Sequence, residues 1–507
     1  MSDAHMNRGA ITACVALATL MQALDTTIAN VALPYIQGTV SASQDQIEWV
    51  LTSYITAAAI MTPPTGFLAA RFGLKRLFLI SIAGFTVASM LCGIANSVVE
   101  IVLFRLLQGA FGAALVPLSQ SILVAINPPE RQGRAMALWG VAVMAGPILG
   151  PVIGGWLTEN YTWRYIFYIN VPIGALTFIG LRMFLREAPP QAGQKLDWLG
   201  FGLLSLAIGA GQVMLDRGEE KDWFGSGEIV IEAIVACCAL YLFLAHIFTA
   251  KRPFVRPQLF RDRNFTAGTL LVFIVGLTYY ASLALQPPYL QNLMNYPVVT
   301  VGLVLAPRGI GTMTSMIVVG RLMGRVDTRL LLALGLGITG WTFYRLTGWT
   351  PDVSQAEIVW VGVIQGVGLG LLFVPLSAVA LATLSPERRT EGAGLYNLAR
   401  NVGSSVGISV VNALLATNTQ INHADIAVNV NAVNRMFENT AIDQFWNPLT
   451  AAGRAALDSV VTNQAQIIAY IDDYKLLMIA TFAVCPLVLL FKRPKPSGGR
   501  QQAMAFE

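Results

Sequence analysis

Long apolar runs alternate with short polar connections along nearly the whole chain, and this pattern predicts a bundle of membrane-spanning helices. Each run has about 18 residues or more, which is enough for an α-helix to cross the hydrocarbon core of a bilayer. The predicted spans lie at about residues 10–36, 47–70, 77–96, 99–125, 133–157, 163–185, 197–215, 229–249, 264–290, 298–322, 329–348, 355–381, 391–416 and 474–491. Fourteen spans, an even number, place both chain termini on the same side of the membrane.

The composition supports a membrane protein with little soluble mass. Of the 507 residues, 55% are hydrophobic and 12% are charged, whereas an average soluble domain has about 25% charged residues. The five cysteines lie within apolar runs and form no C-x-x-C pair, so they indicate neither a redox motif nor a metal site. The net charge of +5 does not indicate nucleic-acid binding, because the positive residues lie in short loops between apolar runs.

Lysine and arginine residues are concentrated in alternate connections. Of the 33 in the chain, 23 lie on one side of the predicted bundle and seven on the other. The remaining three, Arg105, Arg308 and Arg400, lie inside predicted spans. Because positively charged loops remain in the cytoplasm, we expect both termini to be cytoplasmic.

Asp25 lies near the middle of the first apolar run. A charged, unpaired carboxylate at that depth costs several kcal/mol, so an intramembrane acid indicates function. Arg105, in the outer part of the fourth span, is its natural partner because a guanidinium stays protonated. We predict that Asp25 exchanges protons, that Arg105 modulates its proton affinity, and that inward proton flow through Asp25 drives export. A fixed structural ion pair is the alternative.

Other polar and aromatic residues inside the spans are candidates for a central substrate cavity. The two remaining arginines are predicted either to attract anionic or weakly acidic substrates or to bond helix carbonyls, because no second central acid lies within their reach in the sequence. The cavity candidates are Gln22, Asn30, Gln108, Tyr279, Tyr280, Gln286, Arg308, Gln365, Asn397 and Arg400.

The two ends of the chain repeat each other with an offset of about 254 to 258 residues. Gln108-Gly109 matches Gln365-Gly366, and Gly66–Arg71 matches Gly320–Arg325. We predict three parts: a six-helix half (1–190), two inserted helices (191–260) and a second six-helix half (261–507). Parallel repeats of this kind place a substrate path between the halves, which rock against each other.

A long polar segment, 417–473, interrupts the second half on the outer side. Phe437, Phe445 and Trp446 are its apolar anchors. We expect it to form amphipathic helices on the outer face that act as a docking surface; a mobile loop is the alternative. The connection 216–228 is a second docking candidate.

Two glycine-containing stretches complete the predicted machinery. The cytoplasmic connection after the second span is predicted to form a gating contact, since its glycines permit close backbone approach; simple anchoring by its cations is the alternative. Its residues are Gly66, Arg71, Gly73, Lys75 and Arg76. On the fifth span, small residues four apart predict close helix packing, and prolines predict a kink. The residues of that helix are Gly146, Pro147, Gly150, Pro151, Gly154 and Gly155.

These stretches together resemble the major facilitator superfamily, in particular its fourteen-span drug:proton antiporter group. The stretches that carry the resemblance are Leu24–Pro34, Gly66–Arg76, Arg105–Ala114 and Gly146–Gly155, with Trp163–Phe167, Asn170–Pro172, Leu215–Gly218 and Asp222–Phe224 similar to the exporter subunit of bacterial tripartite pumps, the EmrB type. Ala70 departs from the loop motif, which commonly has Asp there. The resemblance implies an all-α, polytopic major facilitator fold with 14 transmembrane helices arranged 6 + 2 + 6.

The resemblance also implies how the protein works. It implies proton-driven multidrug efflux across the inner membrane of a Gram-negative bacterium, with lipophilic substrates, protons and membrane lipids as small-molecule partners. A periplasmic adaptor protein and an outer-membrane channel are the implied protein partners. We expect no enzymatic activity, no cofactor, no metal and no nucleic acid, since the chain has no Walker-type loop and no metal-ligand spacing.

Two other functions stay open at this point. A proton-coupled exporter of one defined amphiphile, such as a fatty acid, would need the same broad apolar cavity. A passive facilitator or a non-transporting membrane scaffold would share the spans but would not need Asp25.

Overall fold

The structure, a computed structural model, describes residues 7–187, 196–250, 253–385, 388–428, 430, 446–447 and 450–492. Its regular elements are helical. The described residues form α1 Arg8–Val40, α2 Gln44–Met61, α3 Thr65–Phe72, α4 Leu74–Ile94, α5 Val98–Gly112, α6 Leu115–Ile126, α7 Pro129–Asn160, α8 Tyr165–Tyr168, α9 Asn170–Phe184, α10 Trp198–Arg217, α11 Gly227–Thr249, α12 Arg263–Pro288, α13 Val298–Leu322, α14 Thr328–Leu346, α15 Gln355–Ala382, α16 Arg389–Ala427 and α17 Ala451–Ala483.

Polar residues cap many of these helices where the apolar runs begin. Ser97 accepts a hydrogen bond from the Glu100 amide at 3.2 Å, and Asp262 accepts one from the Phe265 amide at 2.9 Å. Such caps satisfy backbone donors that have no partner inside the helix. The helix starts can therefore be read from the local sequence.

Twelve helices in the described part of the chain are long and apolar enough to cross a membrane. The predicted spans at 47–70 and 329–348 are not among these twelve, although both are helical. The first is interrupted between α2 and α3, where Pro63 and Pro64 lie. The all-helical architecture is confirmed, whereas the count of fourteen spans stays a prediction.

The N-terminal half is organised around α1, which packs against α7, α9 and α6. On α7, Gly146, Gly150 and Gly154 face α1. A Cβ atom at Gly146 would lie 2.5 Å from the Ala23 carbonyl carbon, and one at Gly154 would lie 2.7 Å from Ile28 Cγ1. Glycine is therefore what allows these two helices to touch backbone to backbone.

The C-terminal half repeats this arrangement with α12 in the place of α1. Helix α12 packs against α16, α13 packs against α15, and α14 lies between α15 and α17. Gly403 and Gly407 of α16 face the backbone of α12, so glycine again permits the contact.

The two halves meet at the end of the bundle predicted to be cytoplasmic. The Ser121 and Thr390 hydroxyls are 2.8 Å apart, and Asn397 Nδ2 donates to Gln120 Oε1 at 2.6 Å. Helix α7 also packs along α13. The substrate path predicted between the halves is thus closed by side-chain contacts at this end.

The inserted helices α10 and α11 pair with each other, and α10 also contacts both halves. Ser405 of α16 donates to Gln212 Oε1 at 3.0 Å, and Ser409 donates to the Leu215 carbonyl at 2.8 Å. On the other side, the Arg217 guanidinium lies 5.3 Å from the Trp49 ring of α2. Helix α10 therefore bridges the halves. The predicted boundary at 190/191 lies outside the described residues, and the three-part division stays a prediction.

The segment 417–473 is largely a continuation of neighbouring helices. Helix α16 runs on to Ala427 and α17 begins at Ala451, so the expectation of separate helices lying on the outer face is wrong at both ends of the segment. His423 and Asp458 join the two extensions at 3.0 Å. Trp446 is exposed; Phe437 and Phe445 lie outside the described residues.

Candidate functional site

Asp25 lies at the centre of a buried polar cluster in the N-terminal half. Asp25 and Arg105 are both 0% exposed. Arg105 Nη1 donates to Asp25 Oδ2 at 2.6 Å, while Gln108 Nε2 and Asn170 Nδ2 donate to Oδ1 at 2.7 and 2.9 Å. We call these four residues the Asp25 cluster. Its carboxylate accepts three hydrogen bonds, one of them from a cation.

The Arg105 guanidinium is held from several sides. Its Nε donates to the Val50 carbonyl at 3.1 Å, and its Nη1 also donates to Gln108 Oε1 at 2.8 Å. Its Cζ atom lies 4.1 Å from the centre of the Tyr54 ring. A buried ion pair is tolerated only when such additional bonds satisfy both groups, and removing one partner typically costs about 3 to 5 kcal/mol.

A second polar cluster lies in the C-terminal half. Arg308, which is 4% exposed, donates from Nη1 to Gln286 Oε1 at 2.8 Å, and its Cζ atom lies 4.7 Å from the centre of the Tyr279 ring. Gln365 Nε2 donates to Ser282 Oγ at 3.1 Å. We call these five residues the Arg308 cluster. Nε and Nη2 of Arg308 have no hydrogen-bond partner among the described residues.

A small cavity of about 10 Å³ lies between the halves. Met144 of α7 lines it from one side, and Tyr279, Tyr280, Phe373 and Arg400 line it from the other. That volume holds about one water molecule and is far below the about 300 to 1,000 Å³ of small-molecule sites, so the lining residues are nearly closed on one another in this conformation. An apolar pocket with a single cation suits an amphiphile with a polar or acidic head group.

The other cavity candidates lie elsewhere. Gln22 lies next to the Tyr54 hydroxyl, beside the Asp25 cluster. Asn30 is exposed. Asn397 bonds Gln120 in the contact between the halves, so it belongs to that contact rather than to the cavity.

The predicted gating connection makes one contact between the halves. A Cβ atom at Gly66 would lie 2.6 Å from the Glu391 Cα atom, so the N-terminal ends of α3 and α16 touch. Gly73 joins α3 to α4 with φ of 88°, a left-handed conformation that glycine adopts without strain. The glycine spacing of this motif thus has a steric reason.

The cations of the same connection bind within their own half. Lys75 Nζ donates to the Arg182 carbonyl at 2.8 Å, and Arg76 pairs with Glu187 at 3.0 Å. Arg71 is exposed. Lys75 and Arg76 therefore attach the connection to the end of α9 and not to the opposite half.

Helix α7 is continuous through Pro147 and Pro151, so the structure has no break at the predicted kink. Thr27 Oγ1 donates to the Gly146 carbonyl at 3.1 Å, and this bond links α1 to the same part of α7. A Cβ atom at Gly155 would approach no closer than 4.0 Å to Val31, so Gly155 is not part of the tight contact. The side chain of Pro151 lies outside the described residues.

Two buried polar residues are missing from the sequence-based candidates. Asn170 begins α9 and donates to both Asp25 and Ser89, the latter at 2.9 Å. Asp473 was expected in the outer segment but is buried within α17, close to the residues around Arg308. Asp473 makes no hydrogen bond among the described residues, so the expectation that no second central acid lies within reach of Arg308 and Arg400 stays a prediction. Val461, Ala465 and Tyr470 follow a helical spacing that continues a helix across residue 474. This spacing could have revealed the burial of Asp473.

Comparisons with known proteins agree with this architecture. A family model described as the Major Facilitator Superfamily matches residues 15–408. The chain is 36% identical over 491 residues to the fatty acid resistance protein FarB of Neisseria gonorrhoeae, covering 96% of this chain and 97% of that protein. It is 35% identical over 488 residues to the multidrug export protein EmrB of Haemophilus influenzae, covering 96% and 95%. The crystal structure of the human organic anion transporter MFSD10 superposes with a TM-score of 0.59 and 14% identity, covering 94% of this chain and 99% of that one.

Proposed function

The chain belongs to the Major Facilitator Superfamily, and on this premise we propose that it is a proton-driven antiporter of the bacterial inner membrane with both termini in the cytoplasm. It is a multi-pass membrane transporter rather than an enzyme, and its similarity to EmrB supports multidrug efflux. The proposed cargo is hydrophobic or amphiphilic toxic compounds. The proposed driving force is the proton gradient alone, without a bound cofactor.

The observation that carries proton coupling is the buried Asp25–Arg105 pair. A carboxylate deep in a bundle has two stable arrangements: paired with the guanidinium, or protonated and released from it. Helix α1 packs on α7 and α9, which belong to the same half, so rocking of the halves need not break the cluster. Access of water from one side or the other then decides where Asp25 gains and loses its proton.

Arg308 and Arg400 support a narrower alternative, a proton-coupled exporter of one acidic amphiphile such as a fatty acid. Arg400 lines the cavity, and two nitrogens of Arg308, Nε and Nη2, have no hydrogen-bond partner among the described residues. A carboxylate head group would satisfy such donors with charge-assisted hydrogen bonds. The similarity to FarB, a fatty acid resistance protein, points the same way. Competition between a fatty acid and a neutral lipophilic dye would separate a broad exporter from a selective one.

We also propose that a periplasmic adaptor protein and an outer-membrane channel complete the pump. Helix α16, with 39 residues, is about twice as long as a bilayer requires, so its outer part is available for docking. Ile421 and Val428 are exposed on this extension. Replacing both with glutamate should lower cellular resistance without changing transport in proteoliposomes; unchanged resistance would refute docking at this surface.

The deciding experiment is export of a fluorescent lipophilic substrate in proteoliposomes with an imposed pH gradient. We expect the native protein to transport and Asp25→Asn to bind substrate but not to use the gradient, because the amide cannot exchange a proton. Asp472→Asn, which changes a partly exposed acid, is the matched control.

The outcomes separate the alternatives. Equal gradient-driven transport by native and Asp25→Asn proteins would contradict coupling through Asp25. Substrate flux that is independent of the pH gradient in both the native and the Asp25→Asn proteins would favour a passive facilitator. Absence of flux with every substrate, in the presence of bound adaptor, would favour a scaffold.

A further inference from the structure

A second buried carboxyl group lies in the C-terminal half. Asp473 of α17 is 1% exposed, and neither carboxylate oxygen has a hydrogen-bond partner among the described residues. Its neighbour Asp472 is partly exposed and pairs with Lys475 at 3.0 Å. Two adjacent acids thus have opposite environments, and only Asp472 has the salt bridge expected of an ionised group.

Asp473 lies towards the predicted outer side. It lies 18 positions before Phe491, whose carbonyl accepts a hydrogen bond from Arg329 near the predicted cytoplasmic end. That length of helix corresponds to about 27 Å, against a hydrocarbon core about 30 Å thick. Asp473 is therefore buried inside the bundle but close to the outer boundary.

Its neighbours are tyrosines and apolar side chains. Tyr470 and Tyr474 lie on the same helix, and the ring of Tyr289, from the π-helical turn that follows α12, is 5.2 Å from that of Tyr470. Helices α14 and α16 contribute Leu346 and Val411 to the same apolar cluster. The hydroxyls of Tyr289 and Tyr474 also lack hydrogen-bond partners among the described residues.

The charged groups near Asp473 are few. Asp472 acts on it from the same helix and disfavours a second negative charge. Arg308 of α13 and Asp473 both act on the Tyr474 hydroxyl through longer-range electrostatics, without a hydrogen bond to it among the described residues. Lys475 is engaged with Asp472. No contact in the described residues therefore supplies Asp473 with a direct counter-charge.

These contacts bear on the protonation state of Asp473. An ionised carboxylate without a hydrogen-bond donor or a counter-ion in an apolar cluster is costly, and such a group normally takes up a proton instead. We propose that Asp473 is a second proton-binding site, neutral in this conformation, which exchanges its proton with water on the outer side. On release, the carboxyl O–H bond breaks and the proton passes to water.

The consequence for transport rests on the proposed function. Two acids, one in each half, would allow more than one proton to enter per exported molecule. The binding of a proton by Asp473 itself does not depend on Asp25, so it can be tested whether or not the chain transports as proposed.

The test is infrared spectroscopy of the full chain in lipid, in an Asp25→Asn background that removes the other central acid. At neutral pH we expect a carbonyl stretching band of a protonated carboxyl group. Asp473→Asn should remove this band, and Asp472→Asn should retain it. Because Asn has the shape of a neutral Asp, Asp473→Asn should also leave the thermal unfolding temperature unchanged.

A band that persists in Asp473→Asn, or loss of a carboxylate band instead, would overturn the proposal. Should Asp473→Asn not fold, Asp473→Glu keeps the carboxyl group and must shift the band in frequency; an unshifted band would overturn the proposal equally. If proton-driven transport is established, Asp473→Asn should lower the number of protons taken up per substrate molecule, and an unchanged ratio would overturn the transport consequence.

Discussion

The two halves of the bundle contain the same polar scaffold with different chemistry. Gln108 and Gln365 stand 257 positions apart, and each donates a hydrogen bond to the first helix of its half. The acceptors, Asp25 and Ser282, are also 257 positions apart. The repeat therefore preserves the hydrogen bond while an acid in one half corresponds to a hydroxyl in the other.

The cations differ as well. Arg105 lies one turn before Gln108, but the position 257 residues after Arg105 is Gly362. Gly362 leaves room for Arg308, whose Cβ atom would lie 3.7 Å from a Cβ at Gly362. The C-terminal cation thus comes from α13, reaches no acid directly and lies near the cavity wall. The N-terminal half thus holds an ion pair, whereas the C-terminal half holds a cation that reaches no acid directly.

The largest expected effect follows from breaking the ion pair. Arg105→Met leaves Asp25 buried without its cation, so we expect a loss of about 3 to 5 kcal/mol in the free energy of unfolding and no gradient-driven transport. Thermal unfolding in detergent and the proteoliposome assay measure the two effects. The double variant Asp25→Asn, Arg105→Met should recover part of the stability; a double variant as unstable as the single one would contradict coupling between the two residues.

The glycine contacts test whether the scaffold is shared. Gly150 and Gly407 stand 257 positions apart, and a Cβ atom would lie 3.0 Å from Thr27 Cβ in the first case and 2.7 Å from Leu277 Cα in the second. Changing either to alanine should cost about 1 to 3 kcal/mol through overpacking. Gly155→Ala, with open space around it, is the control. If only one of the two alanine variants loses stability, the halves do not share this contact.

The two arginines should respond differently to the same change. Arg308→Met removes a buried cation that has no acid partner within the described residues, so we expect a change of less than about 1 kcal/mol in stability. Binding of an anionic amphiphile should weaken about 10-fold or more, since a hydrogen bond to a charged group contributes about 1.5 to 3 kcal/mol. Equilibrium binding of an anionic and a neutral dye measures this. If Arg308→Met loses the same binding affinity for both dyes, an anion-binding role for Arg308 is contradicted.

The smallest effect is expected at the bridge formed by α10. Ser405→Ala removes the hydrogen bond to Gln212, which should cost about 1 kcal/mol and loosen the contact between α10 and the C-terminal half. Ser205→Ala on α10 removes only a bond to its own helix, from Ser205 Oγ to the Phe201 carbonyl. Unfolding temperatures of the two variants compare the effects, and identical values would show that the bridge adds no stability.

Much of the membrane architecture follows from the sequence alone. The length of an apolar run and the distribution of lysine and arginine are local quantities, so the helices were predictable from them. The family was indicated by the resemblance of short motifs, such as Arg105–Ala114 and Gly146–Gly155, to those of known transporters. Asp25 and Arg105 stood out for the same reason, since an ionisable residue inside an apolar run is visible without any knowledge of its neighbours.

Only the tertiary structure decided which side chains meet. Asn170 reaches Asp25 from 145 positions away, and α10 contacts both halves, although neither contact leaves a periodic signal in the chain. Asp473 looked like part of a polar outer segment, because hydropathy averages over a window and cannot detect a single acid that neighbouring helices bury. Apolar length determines where a helix forms, whereas the packing of helices from distant parts of the chain determines which polar groups lose water and must find a proton or a partner.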